Sequence, residues 1–236
     1  VPSEEEEDRR RMHRERGRLK KERTSHTNRI RSLLNLYGIK FSGAKDWTSY
    51  LTAVKDWQGN PLLTHQKEEL LREVKRLELV ESHLKALESR MQQLLKESPE
   101  PVYRQIEQLK RLKGVGDVSS WMLVMEWFGW RRFKNRREVG AAAGLVGTPY
   151  SSGDSEKELG ITKAGNHRIR ALMIELSWCW LRYQPGSDLS KWFHERFDHG
   201  ARLRKIGIVA LARKLLIALW RYVETGELPK GAELKV

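Results

Sequence analysis

Ser151, Ser152 and Gly153 lie together in a polar stretch that runs from Tyr150 to Ser155. A serine hydroxyl next to a glycine can come close to a phosphodiester, since glycine sets no side chain in the way. Downstream, Lys163, Arg168 and Arg170 are cations able to hold phosphate oxygens and to stabilise negative charge as it develops. Ser-Ser-Gly is equally ordinary loop chemistry. Residue types alone therefore leave two readings open, a nucleophile's loop or a flexible connection.

A second constellation precedes the serines. Leu109, Leu112, Lys113, Gly114, Val115, Gly116, Asp117 and Val118 have the form of a helix-hairpin-helix, with glycines flanking a hydrophobic residue between two helical patterns. Such a turn offers N–H groups to a phosphate and grips a strand without reading its sequence. The plainer reading is a tight turn between two helices. Metal chemistry finds less support. His13, His26, His65, His83, His167, His194 and His199 show no ligand spacing, and Glu4 to Asp8 form a run rather than a spaced set. No metal site or cofactor is expected in this chain. The only cysteine, Cys179, excludes an intramolecular disulfide, reads as a small buried apolar side chain and fits a reducing cytosol.

These residues need scaffolding, and the hydrophobic periodicity predicts an all-α fold. Helices are expected over roughly residues 103–112, 118–128, 135–143, 165–183, 188–198 and 201–224, with the serines on a loop from Thr148 to Gly160 and no convincing alternating strand. Upstream, Pro99 and Pro101 close a stretch from His65 to Ser98 that contains neither glycine nor proline. Leu70, Val74, Leu77, Val80, Leu84, Leu87, Met91 and Leu94 recur within it at coiled-coil spacing. That helix can pair with a second copy or fold against the helix before it, and the narrow stripe leads to the expectation of self-association. Residues 40–64 read as a short amphipathic connector between turns. The N-terminal stretch places Glu4 to Asp8 ahead of a run of arginines and lysines, a helix suited to a phosphate backbone through Arg10, Arg14, Arg18 and Lys21, or else an ordinary solvated helix. Trp121, Trp127, Trp130, Trp178, Trp180, Trp192 and Trp220 are expected mostly in the core rather than as base-stacking platforms.

Composition narrows the partners. Lys+Arg 45 against Asp+Glu 31 gives a formal charge of +14 over 236 residues, a field that attracts phosphate polymers. Nucleic acid is the leading partner. No apolar run is long enough to span a bilayer and no lipid-anchoring signal stands out, so no membrane partner is expected. The chain opens at Val1 instead of methionine, which suggests a piece of something longer.

From Leu109 onward the order of features resembles the C-terminal domain of the IS110 family of insertion-sequence transposases, the bridge-RNA-guided recombinases. Leu112-Lys113-Gly114-Val115-Gly116, Phe133 with Ala141-Ala142-Ala143-Gly144-Leu145, Ser151-Ser152-Gly153, Ile161-Thr162-Lys163-Ala164-Gly165-Asn166 and Arg170 follow the family's order and approximate spacing. The tail from Ile206 to Tyr222 looks like its closing helix. Val1-Pro2 and the arginine-rich helix that follows resemble the segment just after the family's catalytic N-terminal domain.

The resemblance implies a DNA recombinase. It places the nucleophile at Ser152, with Ser151 as the alternative because Gly147 and Thr148 precede Pro149 where the family has proline sooner after its Gly-Leu. The expected nucleic-acid contacts are Gly114, Val115, Gly116, Lys163, Asn166, Arg168 and Arg170, and the partners that the resemblance implies are donor and target DNA and a structured guide RNA. A missing RuvC-like domain would hold a divalent metal, magnesium, on four acidic residues. The expected organisation is a basic helical segment at 1–40, a connector and coiled-coil helix at 41–99, and a helical transposase domain at 100–236. A homo-oligomer through the coiled coil in a prokaryotic cytosol completes the expectation. The rivals are a non-enzymatic helix-hairpin-helix DNA-binding protein and an RNA-binding assembly protein.

Overall fold

Capping residues and prolines set the limits of the helices in the computed structural model, which describes residues 2–41, 43, 46–152 and 155–235, with the backbone alone described at 148–159. Ser3 caps α1 (Glu4–Arg9) by accepting from the Glu6 N–H, while the Glu6 carboxylate accepts from the Ser3 N–H, a reciprocal box. α2 covers Arg11–Asn35 and ends before Gly38, whose φ of 71° turns the chain. Asp46 caps α3 (Trp47–Ala53) through the Thr48 and Ser49 amides. α4 runs from Thr64 to Glu97, and Pro101 opens α5 (Pro101–Lys110) at a position where its missing N–H costs nothing. The chain divides into two compact units, one of Val1–Arg10 with Glu97–Val236 and the other of Arg11–Lys96.

In the second unit α2 and α4 form an antiparallel pair. Ile30, Leu34, Ile39 and Leu51 pack with Leu70, Val74 and Leu77. Farther along, Leu19 meets Val80 and Leu84, with Leu87 alongside. The apolar stripe of α4 is thus filled by α2 of the same chain. Arg16 also bridges Glu88 at 2.7 Å, but a partly exposed ion pair is worth about 0–1 kcal/mol. Each buried leucine or isoleucine contributes roughly 1.5–3 kcal/mol, so the apolar seam holds the pair. Glu73, 3% exposed, interrupts that seam and is met by His26 at 2.6 Å and Arg76 at 2.8 Å. Burial pushes its carboxyl up, yet hydrogen bonds from His26 and Arg76 and the charges of His26 and Arg29 outweigh it, leaving Glu73 below its ordinary value.

The first unit contains α1 and the segments from α5 onward. α6 (Asp117–Leu123) widens into a π-helical turn at Val124–Phe128, where all five residues are buried. α7 (Arg136–Ala142) follows, capped by the Asn135 side chain. α8 (His167–Tyr183), α9 (Asp188–Phe197) and α10 (Ala201–Thr225) complete the unit, with α10 packed against α5, α7, α8 and α9. Trp121, Trp127 and Trp180 are buried, but Trp178 is 42% exposed. Cys179 is half-buried, short of the burial expected from its type. The ends of the long excursion through Arg11–Lys96 lie together, since Arg9 Nε is 2.8 Å from Glu100 Oε2.

One expectation is corrected. Gly147–Ser152 forms a strand, β1, paired antiparallel with Ser155–Ile161, β2, where the periodicity predicts a plain loop. The segment is mostly polar, with Tyr150, Leu159 and Ile161 its few apolar side chains, so it lacks the sustained apolar alternation that marks a strand with one buried face. Its order comes from local pairing. The fold remains otherwise helical, and the two strands form a hairpin of their own.

Candidate functional site

The hairpin grows from a base where two stretches of backbone interlock. The Asn166 N–H donates to the Ala142 carbonyl at 3.1 Å, and the Thr162 N–H to the Val146 carbonyl at 2.9 Å. Gly144 has φ of 68° and Gly165 φ of 94°. A Cβ on Gly144 would lie 1.9 Å from the Ala164 carbonyl oxygen, and one on Gly165 would lie 2.1 Å from that of Ala142. Both positions thus require glycine for torsion and for space. Arg170 closes the lock, donating from Nη1 to the Lys163 carbonyl at 2.8 Å and the Ala143 carbonyl at 3.3 Å. Lys163 itself holds φ of 55°, costly for a residue with a Cβ, and its side chain is exposed.

β1 and β2 carry the chain outward from this lock. Their pairing runs from Gly147 opposite Ile161 to Ser152 opposite Ser155. Ser151 and Ser152 are therefore consecutive at the far end of β1. Their side chains, and Gly153 and Asp154 altogether, lie outside the described residues.

The cations placed beside the serines by sequence have different tasks. Asn166 caps α8, its Oδ1 accepting from the Arg168 and Ile169 amides at 3.0 and 3.2 Å. Arg168, half-exposed, reaches Glu126 in the π-helical turn at 3.3 Å. Glu126 is 2% exposed and takes a second guanidinium from Arg10 at 2.7 Å. Arg10, 8% exposed at its side chain, also meets Glu7 at 2.7 Å and lies 4.9 Å from the Trp130 ring centre. It is a buried tie between α1 and the π-helical turn.

The Gly114 turn joins α5 to α6. Gly114 has φ of 83°, and a Cβ there would crowd Tyr183 and the Cys179 carbonyl at 3.3 and 3.4 Å. Val115 is 1% exposed, and Gly116 is the N-cap residue of α6, with open space around its Cα. The C-terminal stretch, residues 233–235, lies across this turn. Leu234 pairs with Leu112, the Lys113 ammonium meets the Glu233 carboxylate, and Lys235 Nζ donates to the Lys110 and Val115 carbonyls at 2.6 and 2.7 Å.

Residues 106–191, which hold the Gly114 turn, the Glu126 tie, the interlock and the hairpin, match the sequence profile described as Transposase IS116/IS110/IS902 family. By this match the chain is similar to that transposase family over residues 106–191. It is 42% identical to "Putative transposase y4rJ" of Sinorhizobium fredii over 248 aligned residues, all of this chain and 62% of that protein. "Probable family 20 transposase" of Pseudomonas aeruginosa is 28% identical across 89% of this chain and 61% of its own length. "Transposase for insertion sequence element IS1111A" of Coxiella burnetii is 28% identical across 87% and 55%. The chain thus spans less than two thirds of these relatives.

The remaining candidates sit on α2. Arg18 and Lys21 are exposed, while Arg14 is half-buried. Among the described residues no group of three His, Cys, Asp or Glu side chains is placed to hold a metal ion, and no helix is long and apolar enough to cross a membrane. Sequence reasoning missed Glu126 and the lock between Gly144 and Gly165. The two glycines were visible inside the family-like blocks, but nothing in either block says that the blocks touch. A lone glutamate in an apolar run is the signal that could have found Glu126.

Proposed function

We propose that this chain is the nucleic-acid-handling portion of an insertion-sequence transposase that recombines DNA under the guidance of a structured RNA, with Ser152 as its nucleophile. The observation that carries the reading is the rigid base under the serine hairpin. A reacting hydroxyl must be held near its phosphate, and a strand pair anchored by two glycines and an arginine restricts it far more than a free loop. In the proposed step the Ser152 hydroxyl oxygen gives up its proton and forms a bond to phosphorus. The phosphorus bond to one deoxyribose oxygen breaks, and that oxygen takes up a proton. The exposed Lys163 and half-exposed Arg168 supply positive charge beside the base of the hairpin. Arg170 acts by holding the backbone, and Asn166 by capping α8.

The Gly114–Val115–Gly116 turn, read as a helix-hairpin-helix, grips phosphate without reading bases, and Arg14, Arg18 and Lys21 add backbone contacts from α2. The described residues do not suit a divalent metal, so no step through a metal is assigned to this chain; magnesium, on the family resemblance, belongs to a part of the protein outside it. Homo-oligomerisation belongs to the proposal too, with the seam of α4 already filled by α2.

The test uses the complete protein with its guide RNA and DNA substrates. Ser152→Ala should retain DNA and RNA binding and abolish the covalent protein–DNA adduct, whereas Ser151→Ala should retain some of it. Loss in Ser151→Ala with persistence in Ser152→Ala would move the nucleophile by one residue. Persistence in the double variant would remove serine catalysis from this hairpin and favour a binding-only protein.

A further inference from the structure

Five of the chain's 45 lysines and arginines fall within the seven residues 131–137, as Arg131, Arg132, Lys134, Arg136 and Arg137. None of the five lies within ion-pair distance of an acid among the described residues. Elsewhere in the chain many cations are matched, as Arg16 is by Glu88 and Lys110 by Glu107 and Asp117. The nearest acid in sequence, Glu138, is engaged otherwise, its oxygens accepting from the Lys134 amide at 2.9 Å and the Asn135 side chain at 3.4 Å.

The segment is also held firmly. Phe133 packs 5.3 Å from Trp127 and 6.5 Å from Trp220, measured between ring centres. Arg131 stacks on Trp127 and Trp130 at 4.8 and 4.5 Å. Asn135 Oδ1 accepts from the Arg137 and Glu138 amides at 2.9 and 3.1 Å. Between and beyond these anchors Arg132, Lys134, Arg136 and Arg137 are exposed, and Arg213 of α10 lies against Gly140 next to them.

Like charges crowded on a mobile tail can spread apart, but here the backbone forbids it, and the repulsion persists until a polyanion relieves it. Burial and the neighbouring Arg10 both push the Arg131 guanidinium down. Flexible arginine and lysine ends on a short connection present no helix or ribbon to a groove, so the contacts they suit are to phosphate rather than to base edges.

We infer that residues 131–137 form a preorganised clamp for the phosphodiester backbone of the DNA substrate, separate from the serine hairpin and from the Gly114 turn. The inference rests on the transposase reading above and names a surface that reading does not.

The experiment measures binding of the chain to labelled duplex DNA by fluorescence anisotropy across a salt series. The variant carries Arg132→Gln, Lys134→Gln, Arg136→Gln and Arg137→Gln, which leaves Phe133 and Asn135 in place. A control removes the same charge at exposed sites elsewhere, with Lys75→Gln, Lys85→Gln, Arg90→Gln and Lys191→Gln. Each phosphate that the protein no longer neutralises should flatten the slope of log affinity on log salt by about 0.9. The loop variant is expected to lose about 3 from that slope, equally on duplexes of unrelated sequence, and the control less than about 1. Equal losses in both would reduce the clamp to net charge and overturn it, as would a change confined to an RNA hairpin of matched length. Failure of the parent chain to bind DNA at all would instead sink the function on which the inference rests.

Discussion

Glu126 holds two guanidinia of unequal exposure, and the difference predicts unequal costs. Arg10 is 8% exposed at its side chain and Arg168 50%. Breaking a buried pair costs about 3–5 kcal/mol because the partner is left uncompensated, and an exposed pair is worth about 0–1 kcal/mol. Glu126→Gln should therefore lower the unfolding free energy in urea by about 3 kcal/mol, and Arg168→Ala by less than about 1 kcal/mol. Losses of equal size would show that the two arms are equivalent. Gly144→Ala puts a methyl group 1.9 Å from a carbonyl oxygen at a positive φ, and about 2–4 kcal/mol of destabilisation should follow. Its adduct yield in the complete protein should fall even where Ser152 is intact; a yield equal to the parent's would mean that the lock does not position the hairpin. The sequence shows each of these residues but not their partners, since Arg10 and Glu126 are far apart along the chain and a close backbone approach leaves no trace beyond the glycine itself.

The helices were the legible elements. The stripe of α4 and the prolines after it are local signals, and local signals survive reading one residue after another. What α4 packs on is not local, because the same spacing serves a second copy or the helix before it. With α2 in that seam, Leu84→Glu with Leu87→Glu should melt the pair of helices, seen as lost helicity by circular dichroism, and not merely change the mass in sedimentation. A folded variant that only dissociates would restore the intermolecular reading. Glu73 adds a dependence on pH. Its folded value lies below the ordinary 4.5, so the stability it contributes is fully present above that value and is lost as pH falls through the folded one. Glu73→Gln should therefore destabilise the pair near neutrality by about 1–3 kcal/mol, and the gap from the parent should narrow as the solution is taken below 4.5. A gap unchanged in acid would exclude the charged contacts to His26 and Arg76 as its source. The β hairpin escaped notice for the opposite reason, as a mostly polar strand pair shows no sustained alternation.

For the molecule as a whole, a formal charge of +14 predicts binding to duplex DNA that weakens steeply with salt. On the function proposed above, in which the metal is held by a part of the protein outside this chain, the isolated chain is expected to bind but not to recombine. Mixed with magnesium, guide RNA and paired DNA substrates, it should yield no exchanged strands; exchange by the chain alone would overturn this division of labour. Fold class was accessible from periodicity, and the charge points to the nucleic-acid partner proposed above. The boundary between the two units was not, because residues before Arg11 join the C-terminal segments through contacts such as Arg10 with Glu126 that no linker composition announces.

The salt bridge between Arg9 and Glu100 makes the helical pair an insert, a length of chain that departs from one point of its host and comes back to nearly the same point. Two side chains in contact keep their backbones within roughly 10–12 Å, and about four extended residues cross that distance. A Gly/Ser bridge of about eight residues from Arg10 to Glu97, which allows for the steps from Arg9 to Arg10 and from Glu97 to Glu100, should therefore allow the host to fold with residues 11–96 cut out, melting in one cooperative transition. Insertions at such paired ends change length without disturbing the structure that carries them. Related proteins could accordingly gain, lose or lengthen this arm while their serine hairpin stays where it is.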